Sequence, residues 1–101
     1  MSVTDECFWE RVAIAQVDGQ LPESEAINVA VNKYGILGRQ QLPDTWARLN
    51  RRWRAVVADT YSQAEMPKVH EALKKKHGVE SFKQLTVGQI WRSIQRISDL
   101  E

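Results

Sequence analysis

The stretch from Asp44 to Tyr61 runs for eighteen residues without a glycine or a proline, and it constrains the fold more than any other part of the chain. Within it Trp46, Leu49, Trp53, Val56 or Val57, and Thr60 or Tyr61 recur at steps of three and four, which stacks them along one face of an α-helix. Arg48, Arg51 and Arg52 fall opposite, with Arg54 at the edge. Asp44 follows Pro43, where its carboxylate is placed to accept from the free amides of the first turn and to complement the positive helix end. A helix this long with so strong an apolar stripe is expected at the centre of the fold, so the other segments are read for faces that could cover it.

Four such faces are present. From about Val3 to Val17 the chain predicts a helix with Phe8, Val12 and Ala15 inward, Trp9 and Ala13 at the margin and acidic residues in its first turn, ending at Asp18-Gly19. Pro22 suits the start of a second helix carrying Ala26, Ile27, Ala30, Val31 and Tyr34, and Gly35 suits a left-handed cap at its end. The link from Gly35 to Pro43, with Gly38, Gln40 and Gln41, is expected to be the most mobile loop. A fourth helix is expected to start at Pro67, to turn Val69, Leu73 and His70 inward, and to end with Lys74, Lys75 and Lys76 before a Gly78 cap. Val79, Phe82 and Leu85 anchor an irregular link. Thr86 and Gln89 then form a capping box for a last helix with Val87, Ile90, Trp91, Ile94 and Ile97 on one stripe and Arg92 and Arg96 outside it.

Five helices, short links and no strand alternation predict an all-α fold, a single small helical bundle spanning residues 1–101. Trp9, Trp46, Trp53 and Trp91 are expected as core and inter-helix wedges. No apolar run reaches the ~18 residues that span a bilayer, and Asp5, Glu6 and Glu10 stand where a secretory signal would be basic, so no membrane partner and a cytoplasmic location are expected. Cys7 has no partner in the chain for a disulfide and is expected to be a small buried residue of the first helix.

The same inventory excludes most chemistry. One cysteine and two histidines seven apart, His70 and His77, match no metal-ligand spacing, and single scattered glycines make no phosphate-cradling loop. No nucleophile elbow and no carboxylate isolated on an apolar face are present, so neither an enzyme nor a cofactor is expected. Charge is the remaining signal. Residues 1 to 44 hold three basic and seven acidic residues, net −4, while residues 45 to 101 hold eleven basic and six acidic, net +5. No acidic residue lies between Thr45 and Ala58. Arg48, Arg51, Arg52, Lys74, Lys75, Lys76 and Lys83 are therefore the candidate contacts for a polyanion.

The run from Met66 to Leu85, MPKVHEALKKKHGVESFKQL, followed by an apolar helix to Ile97, resembles the C-terminal helical domain of bacteriophage antirepressor and related phage regulatory proteins. The shared pattern is a basic helix ending in a His-Gly-Val turn, then a Ser-aromatic-basic segment, a leucine and a closing helix. It covers about a third of the chain, and the separate N-terminal DNA-binding domain of such proteins is not expected within these 101 residues. The resemblance implies a phage or prophage origin and a role near DNA transactions, with no catalytic residues to carry over. Two functions stay open: a small phage-type regulator binding nucleic acid through the basic face, or an interaction module, an inhibitor or adaptor, docking on a host DNA-processing or regulatory protein. The first requires exposed cations, the second an exposed apolar patch ringed by polar groups.

Overall fold

The computed structural model describes residues 3–99, and these form five α-helices: α1 Asp5–Val17, α2 Glu23–Tyr34, α3 Pro43–Thr60, α4 Met66–His77 and α5 Val87–Asp99. Short 3-10 turns at Gln63–Glu65 and Phe82–Gln84 precede α4 and α5. The fold is all-α, with no β-strand among the described residues. A lone antiparallel bridge joins Gly38 to Thr86.

The stripe of α3 is the inner one. Trp46, Leu49, Trp53 and Val57 are buried, Val56 is half-buried and Tyr61 lies outside the helix and exposed. Against it pack Val87, Ile90, Trp91, Ile94 and Ile97 of α5, all buried, while α1 and α2 form a hairpin over Phe8, Val12, Ala26, Ile27, Ala30 and Val31. The buried residues make one continuous apolar cluster, and that burial is the main source of stability. α4 is the outlying element, with only Leu73 buried. Its inner face is completed by His70, which stacks on Phe82 at 4.5 Å and meets Trp53 edge-on at 4.8 Å. Phe82 in turn leans on Trp53 at 4.8 Å, so the turn between α4 and α5 is a wedge in the core rather than a mere link.

Tryptophan polar ends are met from neighbouring elements. Trp46 Nε1 donates to the Leu85 carbonyl (2.9 Å), Trp53 Nε1 to Ser93 Oγ (2.9 Å) and Trp91 Nε1 to Asn28 Oδ1 (2.5 Å). Each bond ties together two segments far apart in sequence. Trp9 differs: it is only partly buried, packed against the cluster's edge.

Several local expectations are corrected. Asp44 does not cap α3. Pro43, which lacks an N–H and has a helical φ built in, takes the first helical position, and Leu42 precedes it with no side-chain cap. The cap comes from α1: Asp5 Oδ2 accepts from Asp44 N at 3.2 Å and Oδ1 from Thr45 N at 2.7 Å. α1 itself begins at Asp5 rather than Val3, because Thr4 turns extended and accepts from Cys7 N. Cys7 is partly exposed rather than buried. α4 starts one residue before Pro67, since a missing N–H costs nothing anywhere in the first turn.

Gly35 is right-handed (φ −67°), not left-handed; its reason is a close crossing with α5. Gly88 N donates to Gly35 O at 2.9 Å, and a Cβ on Gly88 would lie 2.8 Å from that oxygen. The Gly35–Pro43 link is also tied down rather than loose. Leu37 O accepts from Val87 N, Gly38 O from Leu42 N, and Gly38 N donates to Gln41 Oε1 at 3.0 Å. Gly78 caps α4 left-handed (φ 66°), and the Thr86–Gln89 capping box closes both ways, at 2.9 and 3.1 Å. Among the described residues no helix is long and apolar enough to cross a membrane.

Candidate nucleic-acid interface

Because α3 buries the Trp46–Trp53–Val57 side, its arginines are forced outward, and Arg48, Arg51, Arg52 and Arg54 are all exposed. Two of them are held in place. The Arg48 guanidinium sits 4.7 Å from the centre of the Trp9 ring, and that of Arg52 lies 5.3 Å from Trp91 while pairing with Glu23 at 2.7 Å. Guanidinium over an indole face is attractive and limits the arginine's rotamers without removing its donors. Arg48 and Arg52 flank a groove of about 360 Å³ between α1 and α3, floored by Trp9, Val12 and Leu49.

Arg51 and Arg54 have no carboxylate partner among the described residues; the two ion pairs there are Arg52–Glu23 and Lys74–Glu71. Arg54 faces the α4 side. Together with Lys74 it adds to the effect of burial in holding the His70 imidazole below the usual histidine range, against a smaller opposing pull from Glu71. Lys74 is half-buried and spends part of its charge on Glu71 at 2.6 Å, whereas Lys75 and Lys76 are exposed. They also close the negative end of α4.

Lys83 stands apart from both groups. The 3-10 turn Phe82–Gln84 places it on a cleft shared with Arg39, a residue that sequence reasoning passed over because it lay in a link expected to be mobile. Arg39 is exposed, its guanidinium 5.7 Å from the Trp46 ring centre. The seven candidate cations thus fall into three neighbourhoods: Arg48 and Arg52 over the α1–α3 groove, Arg51 on the outward face leading to Arg54 and the α4 lysines, and Lys83 beside Arg39.

The amide positions at the start of α3, a common anion site in other helices, are filled by the chain's own Asp5. Among the described residues no three of His, Cys, Asp and Glu come together in a group that could hold a metal ion. Searches against family models, curated proteins and solved structures find nothing that matches this chain.

Proposed function

We propose that this chain is a small non-enzymatic regulator of phage or prophage type that binds the phosphate backbone of nucleic acid through the outer face of α3 and the end of α4. The observation that carries the proposal is the exposure of Arg48, Arg51, Arg52 and Arg54 on one helix, with no acidic residue between Thr45 and Ala58 and only Glu23 paired into the set. Arginine's planar fork suits phosphate oxygens, and contacts to phosphate carry affinity without reading bases. Arg48 and Arg52, already resting on indole rings, lose less freedom on binding than free side chains would.

The test is fluorescence anisotropy with a labelled duplex and a labelled single strand in low salt. Replacing Arg48, Arg51 and Arg52 together by Gln is expected to weaken binding to any sequence while the melting temperature stays within a few degrees of wild type, because exposed ion pairs contribute only ~0–1 kcal/mol. The wild-type protein failing to bind either strand form would end the proposal. A second reading, docking on a host protein, is favoured by one observation: Ile14 and Val17 of α1 are 43% and 75% exposed and lie three residues apart, on one side of that helix.

A further inference from the structure

A cleft of about 550 Å³ opens between the Gly38–Pro43 link and the 3-10 turn Phe82–Gln84, and its lining contains two cations and no carboxylate. Arg39 and Lys83 come to it from segments more than forty positions apart, both exposed and neither ion-paired among the described residues. Gln40, Gln41 and Gln84 line it as well, and hydrogen bonds set the orientation of the last two. Gln41 Oε1 accepts from Gly38 N at 3.0 Å, and Gln84 Oε1 accepts from Glu80 N at 2.9 Å and Ser81 N at 3.3 Å. A backbone N–H can only donate, so in each amide the oxygen is committed to its own turn and the NH2 end, a pure donor, is left over. The cleft therefore offers a guanidinium, an ammonium and two amide donors, from two opposing turns.

We propose that this cleft binds a phosphate group and serves as a second backbone contact of the nucleic-acid interface, a proposal that rests on the function inferred above. Arg39 and Lys83 supply the charge, and the amides of Gln41 and Gln84 supply neutral donors that select for an acceptor-rich ligand. A phosphate fits this better than a carboxylate does. Its tetrahedral oxygens accept from two sides of a cleft at once, whereas a carboxylate offers two oxygens in one plane. The chain prepares the site by its own folding: Arg39 is braced over Trp46, and the Gly38–Thr86 bridge holds the two turns together.

The test uses the full chain labelled with 15N, titrated at low salt with inorganic phosphate, with a short duplex, and with an acidic peptide of equal charge. The side-chain NH2 signals of Gln41 and Gln84 are expected to shift with phosphate and with the duplex and to stay fixed with the peptide. The double variant Arg39→Gln/Lys83→Gln, checked by circular dichroism for unchanged folding, is expected to lose these shifts. Its duplex affinity is expected to fall by about tenfold or more at 50 mM salt, and its slope of log affinity against log salt to become shallower by ~1.8, at ~0.9 per contact. Wild-type binding that weakens in the Arg48/Arg51/Arg52 variant but not in this one would overturn the cleft and leave the α3 face standing. If the wild type binds no nucleic acid, the phosphate arm alone decides: shifts at Gln41 and Gln84 support a site for free phosphate, and their absence overturns it. Equal shifts with the peptide would overturn it in favour of an acidic protein partner.

Discussion

Trp53 ties α3 to its neighbours on two sides: it has no exposed surface, donates to Ser93 on α5, and holds His70 and Phe82 against its ring. Trp53→Ala is expected to cost ~3–5 kcal/mol in chemical denaturation, the range for emptying a large aromatic site. A loss under ~1 kcal/mol would mean that the inner face of α3 is wrongly assigned. His70 adds a pH dependence of definite sign. Its folded pKa is lowered, mainly by burial and then by Arg54 and Lys74, so the unfolded chain binds the proton more readily. The His70 contribution is therefore fully present above the ordinary histidine pKa of about 6.5 and is lost as pH falls below it toward the folded value. Melting temperature is expected to decline between pH 7.5 and 5.5 in the wild type and to change less in His70→Gln; identical profiles would remove His70 from the account. Asp5 is the third such residue. Asp5→Ala strips two amides at the start of α3 of their acceptor and is expected to destabilise by ~1 kcal/mol, as the loss of a helix cap does.

Apolar period made all five helices legible from the residues alone, because Phe8-Val12-Ala15, Trp46-Leu49-Trp53 and Ile90-Ile94-Ile97 each repeat at helical spacing and each turned out buried. The Thr86–Gln89 capping box and the left-handed Gly78 were equally legible, since each is a local device whose partners lie within a few residues. What escaped was whatever depends on a distant partner. Asp5 caps α3 across about forty positions, and nothing local distinguishes it from the other acids of α1. Gly35 reads locally as a left-handed cap, whereas its reason is the approach of Gly88, which again only the fold reveals. Gly88→Ala is accordingly expected to destabilise by ~1–3 kcal/mol, because the added methyl meets backbone and the crossing of α5 over Gly35 has to widen. A Gly88→Ala protein as stable as wild type would show that this crossing is not tight.

Across the whole molecule the placement of charge is only partly legible in the sequence. The exposure of the outward arginines of α3 is legible, since a buried stripe forces the other side into solvent. Not legible are the placement of Arg48 and Arg52 over Trp9 and Trp91, the pairing of Lys74 with Glu71, and the cleft that Lys83 shares with Arg39, because each joins separate elements or depends on a rotamer. The proposed role rests on how those cations behave together, and counterion release measures that collectively. Duplex affinity should be recorded from 50 to 300 mM salt for the wild type and for the Arg48/Arg51/Arg52→Gln variant. A steep linear fall of log affinity with log salt is expected for the wild type, and a slope shallower by ~2.7 for the variant, at ~0.9 for each of three lost phosphate contacts. Equal slopes for the two proteins, or no measurable binding at 50 mM, would contradict the assignment of this face to nucleic acid.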